Sequence, residues 1–409
     1  MAGSSLYAEL LANIRQISLA ASLSSPSDAS TKVSVGADGC TIELNHHGGI
    51  RKLILPAKVA LGGTLLPVDP RQQGSVTLSW RLPLNPSVAS QLQAQRNDEA
   101  IWSATDFEAG STVTCRQCDA AVVNAGEIRV WKDLPSENWA EMMEFWHCHK
   151  PDHKHDHDHK EDQSGKADNR SLEARGYGAS SIISAQESVG FVDLTNLLVH
   201  ETNCENITFS RSDFKHSSPN REDHEPEASD ASGSKHRSLN AFCSSCHTQL
   251  GFFVFRTAAV TLFKWQISVK PNRSSASPDV AQCLSATIIS TIARSASSKS
   301  LIVPIEETTT TVETKLAQPV IYAWVLNNNI IYSSSSSRTS TKAIKLLYKL
   351  VSQEDADKML EAVTCEAQEL NLPAQAIETI VQQLDRSNLL LPTTERIFKG
   401  EWKVGLLTR

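Results

Sequence analysis

The sequence predicts an α+β fold: a β-rich, two-lobed core clamped by a four-cysteine zinc site, with helices near the C-terminus and two disordered insertions. Three observations predict it. Short apolar runs separated by Gly, Pro and Asn fill the first third of the chain, the pattern of a meander. Helix-period apolar spacing with start signals gathers after residue 280. Two Cys-x-x-Cys pairs stand more than a hundred residues apart.

The bulk numbers set the frame. At 409 residues the chain fits two packed lobes, or one large core with insertions. Apolar residues make up 40% and charged residues 21%, ordinary for a folded protein. A net charge of −7 argues against a whole-protein nucleic-acid binder, so no direct nucleic-acid partner is expected. No apolar run is long enough to span a bilayer. Residues 1–30 read as an N-terminal amphipathic helix. Leu6, Leu10, Leu11, Ile14, Ile17 and Leu19 are interrupted by Glu9, Asn13 and Arg15, which is not the pattern of a secretory leader. Without secretion, the glycosylation-type strings at Asn206 and Asn272 are chance matches.

Residues 31–149 form the β-rich N-terminal lobe. Strands are expected at 31–35, 41–44, 51–55, 76–84, 99–103, 111–115 and 127–132. The lobe closes on a helix opened by Leu134-Pro135-Ser136-Glu137-Asn138-Trp139. Ser136 is its N-cap, Glu137 suits the positive helix start, and Trp139, Met142, Met143 and Trp146 share one side. Pro151 disfavours its continuation.

Residues 150–176 and 210–239 are too polar to offset their ordering entropy and read as disordered insertions. Residues 177–209 are an ordered segment between them, with strands at 190–192 and 196–200. Residues 240–409 form a C-terminal α+β lobe. Strand-like stretches cover 243–255 and 258–269, followed by a helix over 281–295 and strands at 301–304 and 320–326. A polar serine run at 333–337 precedes a strand over 342–351. Helices begin at the capping-box-like Ser352-Gln353-Glu354-Asp355 and at Pro373, and a strand over 402–407 closes the chain. No internal repeat is visible.

Nine cysteines, an odd number, do not suggest a disulfide framework. Cys115-Arg116-Gln117-Cys118 and Cys243-Ser244-Ser245-Cys246 each present two sulfurs from one short loop, which suits a single tetrahedral zinc. Such a site staples distant chain segments and couples metal binding to folding. The alternatives are two unrelated reduced pairs or a redox motif; neither pair opens a helix after a strand, the arrangement that activates thioredoxin-like thiols.

Trp146-His147-Cys148-His149 is a second cluster. Cys148 between two histidines is the candidate nucleophile, because a neighbouring imidazolium raises thiolate content; the alternatives are metal ligation by His147, Cys148 or His149, or a buried helix-end cysteine. His153, His155, His157 and His159 alternate with Lys and Asp and read as a solvated tract with weak metal affinity.

The string Leu134–Trp139 followed by Trp146–His149 resembles the HECT-like family of proteins that bind ubiquitin-conjugating enzymes, of the fungal type. The flanking order agrees: the first cysteine pair, then Phe242-Cys243-Ser244-Ser245-Cys246 with Leu250-Gly251, Leu262-Phe263-Lys264-Trp265, Trp324-Val325-Leu326-Asn327 and Trp402-Lys403-Val404-Gly405-Leu406. The resemblance implies a ubiquitin ligase, cytoplasmic and nuclear, whose partners are a charged conjugating enzyme and ubiquitin. It also implies a cysteine thioester intermediate, and for some members a link to pre-mRNA 3′-end processing. The competing class is a non-catalytic, zinc-stabilised binding or assembly factor. Thr364-Cys365 with Leu370-Asn371-Leu372-Pro373 is partly similar to the catalytic string of true HECT ligases. Its spacing is one residue longer and it falls where a helix is expected, so it reads as accidental.

Overall fold

Strand pairing, not helical spacing, organises the N-terminus. In the computed structural model, which describes residues 4–87, 102–134, 184–210, 238–272, 277–305, 318–337, 339–362 and 365–409, strands β1 (Ser5–Leu11) and β2 (Gln16–Ser22) run antiparallel. They are joined by a short 3-10 turn that ends on Arg15 at a φ of 55°. The helix expected over 1–30 is thus replaced by a hairpin. The misreading has a simple cause: the four-residue step from Leu6 to Leu10 satisfies both the helical and the two-residue period. Leu6, Ala8 and Leu10 with Ile17, Leu19 and Ala21 enter one core, and Tyr7 enters another. A strand buried on both faces loses the polar alternation that would have betrayed it.

The chain continues through β3 (Lys32–Val35), β4 (Thr41–His46), β5 (Gly49–Ile54), β6 (Leu65–Leu66) and β7 (Thr77–Pro83). The meander expected over 31–85 is present in part, as the four-stranded sheet β5-β4-β3-β6; its last strand, β7, pairs β2 in a different sheet. Next come β8 (Phe107–Cys115), β9 (Ala121–Val123), β10 (Val130–Asp133), β11 (Val189–Val192) and β12 (Asn196–His200). These are followed by β13 (Ile207–Phe209), β14 (Ser238–Cys243), β15 (Gln249–Val254), β16 (Ala259–Phe263) and β17 (Ile267–Asn272). The described part of the strand expected over 99–103 is a bend at Trp102 followed by Ser103, unpaired with any strand. The Ser103–Asp106 capping box there turns the chain into a 3-10 turn.

The last segment holds α1 (Val280–Ser295), β18 (Lys299–Pro304), β19 (Val320–Ser334) and β20 (Thr341–Val351). It ends with α2 (Gln353–Glu361), β21 (Ala367–Leu372), α3 (Ala374–Asn388), β22 (Ile397–Phe398) and β23 (Trp402–Thr408). The expected N-cap is present: Ser352 accepts the backbone N–H of Asp355. The serine run begins inside β19, where Ser333 and Ser334 are buried. Cys365 lies between α2 and β21 and not within a helix.

Mostly strands, with three α-helices among the described residues, the fold is α+β as expected. The residues divide into two compact units. One comprises Met1–Glu99, Val280–Pro304 and Val312–Arg409, in their described parts. Its main sheet runs β22-β23-β20-β19-β1-β2-β7, with β18 on β19 and β21 on β18. The other comprises Ala100–Asp279 with Ile305–Thr311, likewise as described. It carries the seven-stranded sheet β10-β11-β12-β16-β15-β14-β13 and the three-stranded sheet β17-β8-β9. Both Cys-x-x-Cys loops belong to this second unit, around a core that includes Val113, Val122, Leu197, Leu250, Val260 and Ile267. No helix among the described residues is long and apolar enough to cross a membrane.

Candidate metal centre

Each Cys-x-x-Cys pair is the turn of a hairpin. Cys115 is the last residue of β8 and Cys243 the last residue of β14. In both turns the first cysteine's N–H donates across the hairpin, to Ala120 O and to Thr248 O, each at 2.9 Å. In both, the residue after the second cysteine folds back onto the first cysteine's carbonyl. Asp119 N–H reaches Cys115 O and His247 N–H reaches Cys243 O, again at 2.9 Å. That residue takes a positive φ in both, 59° at Asp119 and 58° at His247. Asp and His are among the side chains that tolerate this region best.

The likeness extends to a third strand. Ile267 of β17 lies opposite Cys115, and Ile207 of β13 lies opposite Cys243. The residue before each isoleucine caps the turn: Gln266 O accepts Arg116 N–H at 2.9 Å, and Asn206 O accepts Ser244 N–H at 2.8 Å. The centre is therefore two similar three-stranded units with different connectivity. In the first unit the third strand follows the hairpin in the chain; in the second it precedes it. A search for repeats along the chain misses this, because only the four cysteines share a spacing.

The four sulfurs come together. Cys115 and Cys246 Sγ are 3.6 Å apart, as are Cys118 and Cys243 Sγ, and all four lie within 4.8 Å of one another. A tetrahedral ion with metal–sulfur bonds of about 2.3 Å needs sulfurs about 3.8 Å apart, so this quartet fits zinc in both spacing and donor type. Cys115 and Cys243 are buried, Cys246 is half-buried and Cys118 is exposed.

The protons are held unevenly across the quartet. Burial pushes the Cys115 thiol up to about 12, against backbone N–H groups that favour its thiolate. The hydroxyl and backbone N–H of Thr248 draw Cys246 down to about 6. Holding all four as thiolates would take a compensating cation, and binding one would release protons. Thr248 Oγ1 lies 3.3 Å from Cys246 Sγ and donates to it once the sulfur is a thiolate. Sequence reasoning missed Thr248, Asn206 and Gln266, because their roles come from register and not from local spacing. Neither pair starts a helix, so the helix-dipole activation of a redox dithiol is absent here.

The other thiols are placed differently. Cys204 is excluded from the quartet, and burial pushes it up to about 12, with the Glu201 carboxylate adding to the shift. Cys283 is buried on α1, and Cys40 and Cys365 are half-buried. Cys148, His147 and His149 lie outside the described residues, as does the expected helix from Ser136 onward.

The comparisons with known proteins complete the picture. The family described as HECT-like ubiquitin-conjugating enzyme (E2)-binding matches residues 9–404. An uncharacterized protein of Schizosaccharomyces pombe, C1734.10c, is 24% identical over 350 residues, covering 82% of this chain and 88% of that protein. An uncharacterized protein of Saccharomyces cerevisiae, YJR141W, is 35% identical over 68 residues, covering 17% of this chain and 18% of that protein. No solved structure matches.

Proposed function

The chain belongs to the HECT-like ubiquitin-conjugating-enzyme-binding family, and from that premise we propose that it binds a ubiquitin-conjugating enzyme and acts as a ubiquitin-protein ligase. The observation that carries the proposal is the family match over 9–404, which takes in segments of both compact units. Cys115, Cys118, Cys243 and Cys246 would hold a zinc ion, whose contribution would be structural, tying the two hairpins together.

The nucleophile must come from elsewhere, since metal-bound thiolates are spent on the ion. Cys283 is buried, the Cys204 thiol is pushed up to about 12 and so is little ionised, and the half-buried Cys40 and Cys365 have no neighbouring histidine. Cys148, flanked by His147 and His149, remains the candidate. Its thiolate would attack the thioester carbonyl that joins ubiquitin to the conjugating enzyme, and the enzyme's cysteine would leave as a thiolate. A substrate lysine amine would then attack the new thioester, lose a proton and form the isopeptide bond, restoring the Cys148 thiolate. Incubation with a charged conjugating enzyme tests this. The reading expects a ubiquitin adduct on the full chain that a thiol reductant removes and Cys148→Ala abolishes, with binding to the conjugating enzyme retained.

One observation favours a second reading. The four-cysteine quartet suits a structural metal, and thiols held by a metal are not nucleophiles. A non-catalytic binding or assembly factor needs no free thiol. It expects partner binding that survives Cys148→Ala but is lost with Cys115→Ser or Cys243→Ser.

A further inference from the structure

Asn206 bonds both cysteine hairpins. Its backbone carbonyl accepts the N–H of Ser244, inside the second Cys-x-x-Cys turn, at 2.8 Å. Its side-chain Nδ2 donates to Ala121 O at 2.8 Å, on the return strand of the first hairpin. The preceding residue adds a further link, Glu205 N–H to Val122 O at 2.8 Å. The residue holds this pose at a φ of 53°, a conformation that Asn reaches more easily than most residues.

The pseudo-equivalent position, Gln266, caps its own hairpin through its carbonyl. What Asn206 adds is an amide that crosses to the other one. Each hairpin alone can fix its own two sulfurs. Their joint spacing depends on how the hairpins are held together, and Asn206 is placed to set it.

We infer that Asn206 is a positioning residue for the four-cysteine centre, holding the two hairpins at the separation a single metal ion requires. It acts through the backbone of both hairpins, the turn of the second and the return strand of the first. The inference rests on the quartet being a metal site. Its chemistry is that of an outer-shell group whose loss weakens metal binding while the ligands stay in place.

The test uses metal alone on the full-length chain. Asn206→Gly keeps the positive φ and the carbonyl but deletes the amide. Asn206→Asp keeps the shape but turns an oxygen toward Ala121 O. The side chain is exposed, so neither change opens the core. Cobalt(II) titration, followed by thiolate-to-metal charge-transfer absorption, reads sulfur ligation and ignores the histidine tract around His153. Zinc affinity follows from chelator competition.

The inference expects both variants to show the cobalt–thiolate bands of the wild type, with zinc bound about three- to tenfold more weakly, the worth of one neutral hydrogen bond. A purely structural hydrogen bond would lower the melting temperature with and without metal and leave the dissociation constant unchanged; that result overturns the inference. If the wild-type chain shows no thiolate bands, the metal reading fails and this inference fails with it.

Discussion

Cys115 and Cys246 face each other with their sulfurs 3.6 Å apart although 131 residues separate them in the chain. No spacing rule for short zinc motifs applies over such a distance; the pairing is made by two hairpins and the strands that flank them. If an ion closes this quartet, its removal should be felt first in the turns. Chelation is expected to speed amide hydrogen exchange at Asp119 and His247, whose N–H groups bond the first cysteine of each turn. Strand β1 amides, in the other unit, should be unaffected. Uniform acceleration, or none, would count against a local staple.

A second expectation concerns the buried ion pair of the other unit. Lys345 Nζ lies 2.7 Å from Glu9 Oε2, with the two side chains 19% and 7% exposed, and the Tyr7 hydroxyl donates to the same oxygen at 3.1 Å. Lys345→Met strands a buried carboxylate and should destabilise the chain by about 3–5 kcal/mol in denaturant unfolding. Adding Glu9→Gln should recover much of that loss. An additive double variant would show that the pair is not coupled.

Asp385 ties α3 to the main sheet, accepting from Tyr348 Oη at 2.7 Å and from Lys403 Nζ at 2.8 Å. Burial pushes its carboxyl up, but the hydrogen bonds from Lys403 and Tyr348 outweigh this and leave it below the ordinary value. A depressed carboxyl adds stability that is fully present above its unfolded pKa and is lost as pH falls through the folded one. The wild type should therefore lose more stability below about pH 4 than Asp385→Asn does. At neutral pH the variant should be weaker by about 1 kcal/mol, the side chain being half exposed. Parallel pH–stability curves would contradict this.

Gly251 is fixed by close approach. A Cβ there would stand 1.7 Å from Thr261 O, on the neighbouring strand β16. Gly251→Ala must push β15 and β16 apart and should cost about 3 kcal/mol or more, read as a lower unfolding midpoint or insoluble expression. An unperturbed variant would show that the strands can separate freely.

Much of this was legible in the sequence. The cysteine quartet could be named from two spacings, and the strands from β3 to β5 and from β18 to β20 follow their apolar runs and turn residues. The N-terminal hairpin was not legible, because Leu6 and Leu10 fit two periods and β1 is buried on both faces. Strand β21 was hidden for a related reason: Ala367–Leu372 is polar enough to pass for helix, and its partner β18 is more than sixty residues away. Asn206 showed only as a glycosylation-type string. Its pairing with Ser244 and Ala121 depends on a register that no local pattern encodes.

The most direct measurement is the metal content of the purified full-length chain, by elemental analysis, beside a Cys115→Ser/Cys243→Ser variant. The account predicts about one zinc per chain in the wild type, resistant to dialysis, and close to none in the variant. A wild type without zinc, or a variant that retains it, would contradict it.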